Sequence, residues 1–155
     1  ANPPGVEVVI VLFDGEDSQR RSEMFLGSEY FAANMGVYRP DAGIVVDMIG
    51  DAELNVNRER NSINSNPTLY NAVLNSAKAL GFGASFTGAE MIVTDDHISL
   101  INAGVPSIDL IDFEYPDSSN RFWHTLADTT DKCSGQSLLI VGETVLKVVY
   151  DFASQ

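Results

Sequence analysis

The chain has 155 residues, of which 45% are hydrophobic, and 22 acidic side chains against 9 basic ones give it a formal charge of −13. The length suits one domain with a real core, so residues 1–155 read as a single unit. The charge argues against nucleic acid and anionic membranes as partners, because both require Lys/Arg patches. No apolar run approaches the ~20 residues of a membrane helix. Solubility or a salty habitat accounts for most of the acidic excess. Cys133 is the single cysteine, which rules out an internal disulfide.

The elements follow in chain order. The opening Ala1-Asn2-Pro3-Pro4-Gly5 is a loop with neither an initiating Met nor a signal peptide, as expected of an excised or incomplete polypeptide. Residues 6–13 are a near-continuous β-branched run, which predicts a central strand buried on both faces. Residues 14–27 are polar and read as a loop. Ser28 can cap a short helix to about Met35, and a turn with Pro40 leads to a second buried strand over 43–48. Residues 54–56 allow a short third strand. The Asn/Ser-rich stretch 61–66 precedes Pro67, which suits a first helical turn. Leu69, Val73, Leu74, Ala77 and Leu80 then keep helical spacing up to Gly81. Residues 84–90 read as an irregular or edge strand. Asp95 or Asp96 can cap a helix through Ala103, and 105–111 is another strand. Residues 112–134 form a long loop of the kind that carries function. Leu138, Val141, Val145, Val148, Val149 and Phe152 define an amphipathic C-terminal helix. Strands alternating with helices predict an α/β fold: a three-layer α/β/α sandwich with a mixed, mostly parallel sheet, lacking its N-terminal part.

Four polar clusters follow these apolar runs or open the next helix: Asp14-Gly15-Glu16-Asp17, Asp47 with Asp51, Thr94-Asp95-Asp96-His97, and Phe122-Trp123-His124-Thr125. Sites in open α/β sheets form at the carboxyl ends of strands. Carboxylates gathered there cannot all stay ionised without a cation, which points to a metal site, zinc by donor type. In Glu16-Asp17 one carboxylate can hold metal while its neighbour reaches the bound water; a solvated acidic loop is the plainer reading. Asp47 follows four apolar residues and needs a metal, a partner or a capping role. Asp95 and Asp96 suit an N-cap, leaving one to bind substrate or hold a catalytic proton. His97 reads as a packed core histidine and Cys133 as a structural residue. His124 is a zinc-ligand type, Trp123 can wall an apolar pocket, and Asp128 can orient the imidazole from the second coordination shell. No Gly-Lys-Ser/Thr follows Gly27-Ser28 or Gly81-Phe82-Gly83, so a phosphate loop is rejected.

Taken in order, residues 11–17, 26–32, 46–51, 94–97, 103–106 and 123–129 resemble the zinc-dependent exopeptidase family that contains bacterial aminopeptidases and the glutaminyl cyclases. The resemblance covers nearly the whole chain. It implies Glu16 as general base, Asp17 and His124 as zinc ligands, and Asp47 as ligand of a second metal or as a proton-network residue, with one or two zinc ions in all. It implies Asp95, with Asp96 beside it, near the substrate amine, and Trp123 lining the pocket. The family's earlier His-x-Asp segment has no counterpart here, so the chain resembles the C-terminal half of a catalytic domain. The missing half or a second subunit would then be a partner, beside a peptide or small amide substrate. The expected function is zinc-dependent hydrolysis of peptide bonds near an N-terminus. The alternatives are glutaminyl cyclase-like acyl transfer on N-terminal Gln and a truncated, non-catalytic fragment or peptide-binding module. Relatives of this type are often exported; the sequence itself names no compartment.

Overall fold

The structure is a computed structural model and describes residues 5–18 and 20–152. The opening residues 1–4 lie outside them. In chain order the elements are α1 (Leu26–Asn34), β1 (Gly43–Asp47), β2 (Arg58–Glu59), α2 (Arg60–Ser65), α3 (Pro67–Ala79), β3 (Glu90–Met91), α4 (Asp96–Asn102), β4 (Ser107–Ile111) and α5 (Gly135–Phe152). β1 pairs with β4 in parallel, with Gly43 opposite Ser107 and Asp47 opposite Ile111, and β2 pairs with β3 in parallel. Parallel neighbours need crossovers of a dozen or more residues; the segment between β1 and β4 supplies one, carrying α2, α3 and α4.

β4 is buried along its whole length, including the polar Ser107 and Asp109. The β1–β4 pair serves two cores, one on each face. Ile108 and Leu110 pack with Val73 and Ala77 of α3 and with Val141 and Val148 of α5. Val45 of β1 faces the other side, against Phe31 and Met35 near α1 and Leu100 of α4. Helices therefore cover both faces of the β1–β4 pair, giving the three layers of an α/β sandwich. Pro67 opens α3 with the Asn66 side chain accepting the Leu69 N–H at 3.0 Å, as its sequence indicates.

The structure corrects several expectations. Residues 6–13 form no strand: Ile10 is 86% and Leu12 93% exposed. A strand exists only where a neighbour takes its backbone N–H and C=O groups, and no described segment pairs with this one. The strand expected at 54–56 lies two residues further on, at Arg58–Glu59. The Asn/Ser-rich stretch holds a helix, α2, because the Glu59 carboxylate accepts the N–H groups of Asn61 and Ser62 at its start. Ser28 sits inside α1 and not at its cap; its hydroxyl donates to the Phe25 carbonyl at 3.1 Å. Residues 84–90 divide into a 3₁₀ turn (Gly83–Phe86) and the two-residue β3. No described helix is long and apolar enough to cross a membrane.

Candidate functional site

Glu16 and Asp17 are placed by backbone. The first residues of α1 fold back on the acidic cluster: Phe25, Leu26 and Gly27 donate their N–H groups to the carbonyls of Glu16, Gly15 and Asp14 at 3.0, 3.1 and 2.8 Å. This explains the glycine at 27, where a Cβ would lie 2.5 Å from the Asp14 carbonyl oxygen. Asp47 ends β1, and Met48 beyond it has φ of +52°. Asp95 caps α4, its carboxylate accepting the Asp96 N–H. His124 lies in the long loop with φ of +56°. Left-handed backbone costs a non-glycine residue about 1–3 kcal/mol and gathers at functional sites; of the four such residues among those described, Met48 stands beside Asp47 and His124 is another.

Glu16, Asp17, Asp47, Asp95, Trp123, His124 and Asp128 line one cavity of about 910 Å³. Within it the His124 Nε2 lies 3.0 Å from the Asp17 Oδ2. Both side chains are half-exposed, so the pair adds little to stability. The Trp123 ring stacks on the imidazole, 4.1 Å between centroids and 24° between planes, and its other neighbour is Phe113 at 5.2 Å. Trp123 thus fixes the imidazole and forms an aromatic wall.

Among the described residues no Lys or Arg lines the cavity, and the carboxylates feel this. Burial, followed by the charges of Asp17, Asp95, Asp47 and Asp96, pushes Glu16 up to about 7. Burial, and after it the charge of Asp95, push Asp47 up to about 6.

Other expected residues fall elsewhere. Asp96 is buried beside the Ser28 hydroxyl, which opposes the upward push of burial, and it does not line the cavity. Asp128 lines it but accepts a 2.6 Å hydrogen bond from the Tyr115 hydroxyl; the imidazole's partner is Asp17. His97 is fully buried, as a core histidine should be. Cys133 is exposed and reaches the cavity, its Sγ against Gly50. Asp51, which the sequence grouped with Asp47, lines it too; Ile92, Phe113 and Tyr115 also line it and carried no signal as site residues.

An imidazole and several carboxylates, of which Glu16 and Asp47 are pushed up by burial and by their acidic neighbours, are a donor type that suits a divalent cation. Among the described residues no three His, Cys, Asp or Glu side chains converge closely enough to hold one; the Asp17–His124 contact is the nearest approach to such a group.

A comparison with known proteins gives the same chemistry a family. Residues 1–149 match the model of peptidase family M28. No curated protein matches the chain. Among solved structures, the chain is similar to Porphyromonas gingivalis glutaminyl cyclase (34% identity, 90% of this chain and 54% of that one, TM-score 0.80). It is also similar to a Zn-dependent exopeptidase from Parabacteroides distasonis (29%, 90% and 52%, 0.79). A leucine aminopeptidase precursor from Bacteroides thetaiotaomicron is a third (30%, 90% and 51%, 0.79). The chain spans about half the length of these structures, and the family and its exopeptidase members imply zinc. Across the match to residues 1–149, the chain belongs to peptidase family M28.

Proposed function

We propose that the chain carries the catalytic side of a zinc-dependent, aminopeptidase-like hydrolase acting at peptide N-termini. The observation that carries this reading is Glu16: a carboxylate held near pKa 7, in the cavity that holds the Asp17–His124 pair. A general base works best with a pKa near the working pH. Asp17 and His124 would be two of the metal's ligands, an assignment supported by donor type and by their 3.0 Å contact; Asp47 lines the same cavity and would have to move toward them to join as a third. Zinc, when bound, supplies Lewis acidity to the scissile carbonyl and lowers the pKa of its water to ~7. Glu16 takes the proton of the attacking water and returns it to the departing amine nitrogen. Asp95, at the cavity wall, accepts hydrogen bonds from the substrate's free amine. Trp123 excludes water on one side and seats an apolar group.

The second reading is cyclisation of N-terminal Gln, in which the substrate amine attacks its own side-chain amide. The stacking of Trp123 on His124 and the 34% identity to a glutaminyl cyclase favour it. The test is to assay the chain with zinc on aminoacyl-anilides and on N-terminal Gln peptides, beside Glu16→Gln. Hydrolysis of the anilides, lost in a variant that still binds zinc, supports the first reading. Ammonia release from Gln peptides alone supports the second. Turnover of neither, with peptide still bound, leaves a binding module.

A further inference from the structure

Asp95 reaches the cavity from a turn that is tied to one buried carboxylate at both ends. Glu59 is fully buried at the end of β2. Its Oε1 accepts the N–H of Asn61 at 3.0 Å and of Val93 at 3.2 Å. Its Oε2 accepts the Ser62 N–H at 2.6 Å and the Ser62 hydroxyl at 2.7 Å. The Val93 carbonyl is taken by the Asn61 side chain at 3.0 Å, so both backbone polar groups of Val93 belong to this assembly. Four residues on, His97 reaches back from the first turn of α4, its Nε2 3.3 Å from the Glu59 Oε2. The other ring nitrogen lies 3.7 Å from Asp109 of β4, whose own N–H donates to the Ser62 hydroxyl at 2.8 Å. Residues 93 and 97 therefore meet one side chain, and Thr94, Asp95 and Asp96 are the span between.

We propose that Glu59, with His97, is the positioning residue that sets where Asp95 stands at the cavity. Burial opposes an ionised Glu59, and the 3.3 Å approach of the His97 ring together with the hydrogen bonds from Ser62 and Asn61 outweighs it, taking the group down to about 2. It thus stays an acceptor on both oxygens across the working pH range. Glutamine in its place presents an NH₂ to one set of donors, and a buried N–H then loses its acceptor.

What this does for substrate rests on the functional reading above; the anchoring does not. In the zinc-loaded chain on an aminoacyl-anilide, Glu59→Gln is expected to raise KM on the order of 10- to 100-fold, as a small misplacement of a binding group does. The kcat should move less than about threefold, since Glu16 is untouched. Asp95→Asn should do the same, and the double variant should be no worse than Asp95→Asn alone. Additive losses, or a loss confined to kcat, overturn the proposal. In the metal-free chain, amide exchange at Val93 and Asp96 should accelerate at least about tenfold in Glu59→Gln while Val73 in α3 keeps its protection. Unchanged exchange at 93 and 96 overturns the proposal whatever the catalytic result. Should Glu59→Gln fail to fold, His97→Asn releases one anchor and leaves the α2 cap; exchange at Asp96 must then rise, or the proposal fails. Absent turnover in the parent chain counts against the hydrolase and leaves the exchange result to judge the anchoring.

Discussion

Replacing Asp47 by Asn should stabilise the metal-free protein at alkaline pH. Asp47 sits at about 6 against an ordinary 3.8, through burial and then through Asp95. Two pK units at ~1.36 kcal/mol each give about 3 kcal/mol of cost for ionising it in place. Asn must also be buried with its polar groups paired, so about 1–2 kcal/mol is recoverable. The sign follows from proton binding. The folded state holds the Asp47 proton more tightly than the unfolded one, so this group's contribution falls as pH rises from about 4 through 6. Asp47→Asn has no such loss. In urea unfolding of the metal-free chain, the variant should gain about 1–2 kcal/mol at pH 8, and the gain should vanish near pH 4. With saturating zinc the order should invert, because a cation that binds only the folded state stabilises the parent more when Asp47 is a ligand. A variant less stable than the parent at pH 8 without metal would refute the crowding argument.

Glu16→Gln should lower turnover by about 10²- to 10⁴-fold while calorimetry shows zinc still bound. A Glu16 that titrates near 7 makes the base available above that pH, so turnover should rise through neutrality. Bound zinc shifts that limb downward because opposite charge favours the ionised form; a pH–rate profile reads both. Leu110→Ala, in the core shared by α3 and α5, should cost about 3 kcal/mol by chemical denaturation. Ile10→Lys with Leu12→Lys should leave stability within about 0.5 kcal/mol, because both side chains lie in solvent. The same pair should reduce self-association in sedimentation.

α3, α4, α5 and the strands β1 and β4 were legible because their signals are local. Pro67 and the spacing from Leu69 to Ala77 specify α3, and Ile108, Leu110 and Ile111 mark β4 despite Asp109 among them. Residues 6–13 carry an equally strong strand signal and have no strand, because pairing needs a second segment that no local pattern can supply. α2 was hidden for the opposite reason: Asn and Ser disfavour helix interiors, and its cap is a glutamate, a residue outside the preferred N-cap set. The site was legible as four clusters, since acid at a strand end is costly without a purpose. Its inner arrangement was not. That Asp95 faces the cavity and Asp96 faces Ser28 depends on how α4 is anchored, through Glu59, which sits 36 residues earlier in a segment with no motif.

Zinc titration of this chain by calorimetry, beside Asp17→Ala and His124→Ala, tests most directly whether the cavity is a cation site. Binding of zinc at micromolar affinity or better, weakened by about 10- to 100-fold or more in each variant, is the expected result. No zinc binding by the parent chain, or equal binding after either substitution, would contradict it.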